Sequence, residues 1–268
     1  MRNRSLLRSI VIAALALLAL APHPARAAEP APRQSETLPF DADTIDRSWF
    51  DLSMSYRKLE DSDTSRKGSD LVLDGRAAWS FTPSVELGVA GSYVSRDFDD
   101  RELGSPSGLG DTLGWAKYRF PGAGSAVFSV GGFASVPTGD EEDFLGTGNL
   151  EGGVFFSGGV RTRGDGFVQA HVGVRWNRDF DNRLVHLDAK NSILAGFGGV
   201  YEAASGIEVF SSLLLETSRY EGGDDTVRLT GGARWTLSTS WRVQVLASAG
   251  LTDAAPRLSL GAGVVWAR

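Results

Sequence analysis

Residues 108 to 120 read GLGDTLGWAKYRF, which puts three glycines, an aspartate, a threonine and a lysine within ten positions. Two kinds of chemistry use such a set. A phosphate-cradling loop needs glycines that let backbone N–H groups approach the phosphate, a lysine beside them, and a helix that starts at once. Here GLGDT runs into LGWAKYRF, which has no helical period and stops at PGAG, and no G-K-[ST] triplet is present. The stretch therefore reads as a strand, and its charged residues need an environment other than an apolar core.

Other reactive residues are sparse. Of three histidines, His23 lies near the N-terminus, His171 sits within an alternating segment and His186 falls in a polar stretch. A serine hydrolase needs a histidine base beside its serine, and no H-x-S pattern occurs. His186 and Asp188 stand at i and i+2 and share a face, a pair that reads as solvated loop residues, and His171 reads as a hydrogen-bonding residue. With no cysteine and so few histidines, no transition-metal set can assemble. The acids Asp97, Asp99 and Asp100, and Asp140 to Asp143, fit no 12-residue calcium loop and read as a solvated rim that meets divalent ions and lipopolysaccharide. No catalytic, cofactor or metal site is expected, and the chain does not read as an enzyme.

The ends bound the compartment. Arg2, Arg4 and Arg8 precede the apolar run IVIAALALLALA and an A-x-A site at Ala25 and Ala27, the pattern of a secretory signal peptide over residues 1–27. Removing it takes the 27 basic residues down by four arginines to 23, against 33 acids. That acidic balance argues against nucleic acid as a partner. Residues 28–46, polar and rich in proline, read as a flexible periplasmic lead-in. The remainder, 47–268, shows no sustained helical period.

What positions the candidate residues is a series of alternating segments about as long as tilted membrane strands. Twelve start near residues 49, 70, 84, 109, 126, 149, 167, 191, 206, 226, 241 and 257. Their connections alternate between tight (TPS, PGAGS, GDG, ASG, STS) and longer, as in the acidic EDSDTSRKGS and TGDEEDFLGTG. Short turns at one end and longer loops at the other are the pattern of an antiparallel up-and-down transmembrane β-barrel, with both chain ends on the short-turn side. Rings gather near strand ends: Trp79, Tyr118, Phe120, Tyr201, Trp235, Trp241 and Trp266 on the short-turn side and Trp176 opposite, as amphipathic rings do at membrane interfaces. A soluble β-sandwich would alternate in the same way, with the charged face in water.

The face opposite the apolar one collects the charges. The expected lumen-lining set is Arg76, Arg96, Asp111, Lys117, Arg119, Glu151, Arg161, His171, Arg175, Glu208, Glu216, Arg228, Arg234 and Arg242. For the opening stretch, a charge on the lipid face costs ~2–4 kcal/mol at mid-bilayer. The favoured register therefore turns Asp111, Lys117 and Arg119 inward. Gly110, Thr112, Gly114, Ala116, Tyr118 and Phe120 face lipid. This sends Trp115 into the lumen unless a bulge shifts the register.

GLGDTLGWAKYRF also resembles the G-x-G-D-x-x-L-G-x-K-Y-R segment of outer-membrane channels associated with the meta-pathway of phenol degradation. ASVPTGDEEDFLGTGNLEGGVFFSGG, residues 134–159, resembles the segment that follows it in that family, a P-T-G-D turn, a polar loop and a G-T-G. The resemblance implies a single-chain barrel of the bacterial outer membrane that passes small hydrophobic or aromatic compounds. The chain departs from the aromatic ending common in such barrels, since it closes on VVWAR. A barrel hydrolase and a closed structural or adhesive barrel are the alternatives. The partners expected are lipid, lipopolysaccharide and a small solute.

Overall fold

The structure, a computed structural model, describes residues 40–42, 48–60, 67–99, 104–121, 125–162, 166–182 and 185–267. The signal peptide expected over 1–27 lies outside them, and of the lead-in only residues 40–42 are described. The strands are β1 (Trp49–Glu60), β2 (Lys67–Thr82), β3 (Val85–Phe98), β4 (Ser107–Leu109), β5 (Thr112–Arg119), β6 (Ala126–Val136), β7 (Glu151–Arg161), β8 (Gly166–Trp176), β9 (Phe180–Asp181), β10 (His186–Leu187), β11 (Ser192–Ala204), β12 (Ile207–Glu216), β13 (Thr226–Thr236), β14 (Trp241–Gly250) and β15 (Leu258–Ala267).

Twelve staves form one closed antiparallel barrel. The order runs β2-β1-β15-β14-β13-β12-β11-β8-β7-β6-β5-β3, and β2 pairs with β3 to shut it. Strand β4 extends the β5 stave and pairs with β3, while β9 and β10 form a small hairpin in the connection from β8 to β11. Closure matters because an open edge would leave backbone N–H and C=O groups unpaired in lipid. The observed staves begin within three residues of the expected starts. All the short connections fall at one end, and so do the start of β1 and the end of β15, where Trp49 pairs with Ala267.

Alternation decides the faces. On β1, Phe50, Leu52, Met54 and Tyr56 are exposed, while Asp51, Ser53 and Ser55 are buried between them. Water is the reference for that exposure, so an apolar outer face of this extent requires another solvent, and lipid fits. Trp79, Tyr118, Phe120, Trp176 and Trp241 all lie outward and exposed, and Tyr201, Trp235 and Trp266 are half-buried.

The opening stretch departs from this simple alternation in mid-stave, whereas the shifts at Ser80–Thr82 and Glu202–Ala204 fall at strand ends. Leu109 pairs with Tyr93 and Leu113 with Ala90, so residues 110–112 stand opposite only 91–92. That is a bulge, and a bulge reverses parity. Leu109 is accordingly exposed at 62%, whereas Leu113 packs inside with Trp115. Gly110 was expected on the lipid face; it is buried, because the bulge turns it inward. From Thr112 to Arg119 the pairing is regular and Trp115 points into the barrel, 5% exposed.

The interior is partly aromatic. Trp49, Trp115, Phe133 and Phe155 form a cluster with Ala78, Leu194 and Ala267. Glycines across the neighbouring ladder make room for inward rings. A Cβ on Gly88 would lie 2.0 Å from Trp115, one on Gly131 2.3 Å from Phe155, one on Gly153 2.4 Å from Phe133, and one on Gly232 2.3 Å from Phe210. Each of these glycines is the direct cross-strand partner of its ring. Glycine is frequent here because rings lie flat on bare backbone, the arrangement known as aromatic rescue. Outward glycines also occur, as Gly114 with nothing closer than 3.9 Å, but these inward ones carry the packing.

Candidate functional site

The lumen is built from three groups of side chains. The first is a latch. Strand β6 ends at Val136 and β7 begins at Glu151, and the loop between them folds into the barrel. Its Leu145 packs on Val72 and Val94, which are inward residues of β2 and β3. The Asp111 carboxylate, presented by the bulge, accepts hydrogen bonds from Gly139 N–H (3.1 Å), Thr147 N–H (2.8 Å) and Thr147 Oγ1–H (2.9 Å). Thr138 donates to the Gly110 carbonyl at 2.8 Å. A Cβ on Gly146 would sit 2.3 Å from Asp111 Oδ1, and one on Gly139 2.6 Å from the Leu145 carbonyl oxygen. The G-x-G-D, P-T-G-D and G-T-G stretches are therefore one device: a carboxylate, the backbone that encloses it, and glycines where a side chain would block the approach. Phe144, at the tip, holds a positive φ of 57°, a region non-glycine residues rarely occupy. Its carbonyl accepts from Arg96 Nη1 at 2.8 Å, and Arg96 also forks onto Asp70 at 2.8 and 2.9 Å.

The second group fills the barrel toward the short-turn end. Lys117 and Glu86, both with fully buried side chains, lie 3.2 Å apart, and Trp115 Nε1–H donates to Glu86 at 3.1 Å. Arg234 donates to Glu208 at 3.2 Å and to Gln244, which donates in turn to Asp51 at 3.2 Å. Residues 40–42 enter this layer. They are not solvated: Asp41 is 2% exposed and Ala42 0%. Lys117 Nζ donates to the Asp41 carbonyl at 3.1 Å and Ser157 Oγ to the Phe40 carbonyl at 2.6 Å. Gln169 bonds twice, donating to Asp41 Oδ1 at 2.6 Å and accepting from Ala42 N–H at 2.8 Å. The Phe40 ring stacks on His171 at 4.7 Å and meets Phe133 and Phe155 edge-on. This corrects the reading of residues 40–42 as part of a flexible lead-in. Their backbone polar groups find donors inside the barrel, and Phe40 finds an aromatic slot there.

The third group lines open space on the long-loop side. Arg175 lies 3.5 Å from Glu216 and over the Phe133 ring, while Glu151 is ion-paired with Arg219, a loop residue the strand pattern did not single out. A cavity of about 610 Å³ opens at this end, walled by Phe98, Phe144, Tyr220 and Arg219. A second, of about 270 Å³, lies deeper and reaches Phe40 and His171. The two share Glu216, Thr226 and Pro256. Arg76 and Arg228 border a small third space. Arg119 and Arg161 lie on the inward parity of β5 and β7 at their short-turn ends, and Arg242 is buried on β14. His186 stands between Asp181 (3.7 Å) and Asp188 (3.4 Å), all with more than half of the side chain exposed, in the loop hairpin.

Sequence reasoning sent Trp115 inward but missed the inward rings Trp49, Phe133, Phe155 and Phe210, and with them Gln169 and the lumenal position of Phe40. For Trp115, Phe133, Phe155 and Phe210 a readable signal was present, since each faces a glycine once the register is known.

No protein-family model matches the sequence, and no curated protein matches it. Solved structures do share the fold. An outer-membrane channel from Pseudomonas putida F1 is similar at a TM-score of 0.71 and 14% identity, over 88% of this chain and 100% of that one. The KdgM porin follows at 0.55 and 10% identity, over 81% and 98%. The CymD monoaromatic hydrocarbon channel is similar at 0.50 and 8%, over 84% and 89%. At these identities the likeness establishes the barrel architecture.

Proposed function

We propose that this barrel is a passive channel of the bacterial outer membrane that admits small molecules from the long-loop side, and that it is not an enzyme. The observation that carries the reading is the pair of cavities sharing Glu216, Thr226 and Pro256, which descend from the outer rim to Phe40 inside a lipid-suited shell. Shared architecture with known channels and a porin supports it. Hydrophobic or aromatic compounds are the solute class we infer. The resemblance of the Asp111 latch segments to the phenol meta-pathway channels supports this, as do the rings Phe98, Phe144 and Tyr220 at the mouth. Lipid and lipopolysaccharide are the partners of the outer face and rim. The charged groups expected to line the lumen would constrict the path, with Arg175, Glu216 and Arg228 at its narrow part. Single-channel recording in planar bilayers tests the reading: stepwise currents are expected, and a folded protein that gives neither current nor liposome swelling rules it out.

A further inference from the structure

One side of the lumen differs from the rest. Along the neighbouring strands β2, β1, β15, β14 and β13 the inner wall carries hydroxyls: Ser53, Ser55, Ser248 and Ser259 border a space of about 50 Å³. The registers bring them together, with Ser248 opposite Ser259, and Ser259 opposite Arg57. Three guanidinium groups, Arg57, Arg76 and Arg228, reach the same space. One carboxylate lines it, Asp74, 3.3 Å from Arg57. Asp51 lies opposite Arg76 in the β1–β2 ladder. Counting it too gives two acids against three bases, so the bay keeps a positive excess.

Ser55 adds an independent sign. It is 9% exposed and its Oγ has no hydrogen-bond partner. Buried hydroxyls are nearly always bonded, so one that borders a cavity without a protein partner is a donor that a guest entering the bay can use. Hydroxyl and guanidinium donors together suit an anionic oxygen group, and guanidinium forks match a carboxylate in particular. The bay is too small for a ring, but Arg228 also borders the 270 Å³ cavity, whose wall includes Leu194, Leu214 and Phe40. A polar bay thus meets, at one guanidinium, a chamber with an apolar side, in which the carboxylate present, Glu216, is paired with Arg175.

We propose that Ser55, Arg57, Arg76 and Arg228 bind the carboxylate of a small organic acid, with its apolar body in the adjoining chamber. That such an acid reaches the site by passing through the barrel rests on the channel reading; the binding site itself does not. The test is equilibrium dialysis of the full barrel in detergent micelles against benzoate, with benzyl alcohol as the neutral probe of matched shape. Saturable benzoate binding is expected at one site per chain, at least tenfold tighter than benzyl alcohol. It should weaken at least tenfold in Arg228→Gln and Arg76→Gln and persist in Arg178→Gln, an exposed loop change. Ser55→Val, which keeps every charge but fills the bay, should weaken it too; heat-modifiable gel migration identifies the folded variants. Equal binding of benzoate and benzyl alcohol, or benzoate binding unchanged in folded Ser55→Val and Arg228→Gln, overturns the proposal. Benzoate binding in a barrel without conductance would sink the channel and leave this site standing, and conductance without benzoate binding would do the reverse.

Discussion

Asp111 holds Thr147 twice, accepting from its backbone N–H at 2.8 Å and from its hydroxyl at 2.9 Å, across 36 residues of chain. With Gly139 N–H this makes three bonds to one carboxylate, which with Leu145, Thr138 and the Arg96–Phe144 bond keep the 137–150 loop inside the barrel. Asp111→Ala removes the two oxygens that accept all three bonds. The half-buried position tempers charge-assisted bonds, so the expected cost to the loop is about 3 kcal/mol. Hydrogen exchange should quicken across 137–150 while the strands keep their protection. Uniform protection in the variant would show that Leu145, the Thr138–Gly110 bond and the Arg96–Phe144 bond hold the loop without Asp111.

Lys117 and Glu86 predict a larger effect. Lys117→Met takes from the buried Glu86 carboxylate the ammonium 3.2 Å away, and breaking a buried ion pair typically costs ~3–5 kcal/mol. The double change Lys117→Met with Glu86→Gln removes both charges and keeps an acceptor for Trp115 Nε1, so most of that loss should return. Thermal or denaturant unfolding in micelles reads this directly. If the double variant is no more stable than the single one, the pair is not coupled as its 3.2 Å separation implies.

The segment at residues 40–42 makes a functional prediction. Lys117 and Ser157 hold its carbonyls, Gln169 the Asp41 carboxylate and the Ala42 N–H, and His171 its ring, so the segment fills space that the proposed channel would otherwise use. Deleting residues 28–46 should enlarge the single-channel step, and Gln169→Ala should make openings of the intact chain more frequent. Identical conductance with and without the segment would mean that ions pass elsewhere.

Glycines on opposite faces should differ. Gly131→Val would force a side chain into the Phe155 ring at 2.3 Å and the Ala116 carbonyl at 2.7 Å, so folding yield should fall sharply, with a cost of roughly 1–3 kcal/mol or more in whatever folds. Gly114→Val, whose nearest neighbour is 3.9 Å away on the lipid side, should fold at least as well as the parent. The comparison is a refolding assay scored by gel mobility.

The staves were legible in the sequence because their evidence is local: period-2 alternation, and turn residues that recur at stave length. The register of β5 was legible from Lys117 and Arg119 alone, since a charge tolerates lipid poorly. Gly110 was not, because the bulge that turns it inward depends on Tyr93 and Ala90, some twenty residues away and on another strand. The same holds for Gly131 and Phe155. Neither means anything until the β6–β7 register sets them opposite each other. Phe40 was hidden for a different reason. A short polar, proline-rich stretch carries no period, and only the slot between His171, Phe133 and Phe155 gives its ring a place.

The pairing of Trp49 with Ala267 has a consequence for assembly. The ladder that closes the cylinder joins the first stave to the last, and loop-closure entropy makes such a distant contact slow to form. Until β15 docks, β1 and β14 both present bare edges, which in lipid strand their amides and in water invite pairing with another chain. Shortening the chain into Leu258–Ala267 would therefore expose two edges at once, whereas insertions in the long loops would expose none.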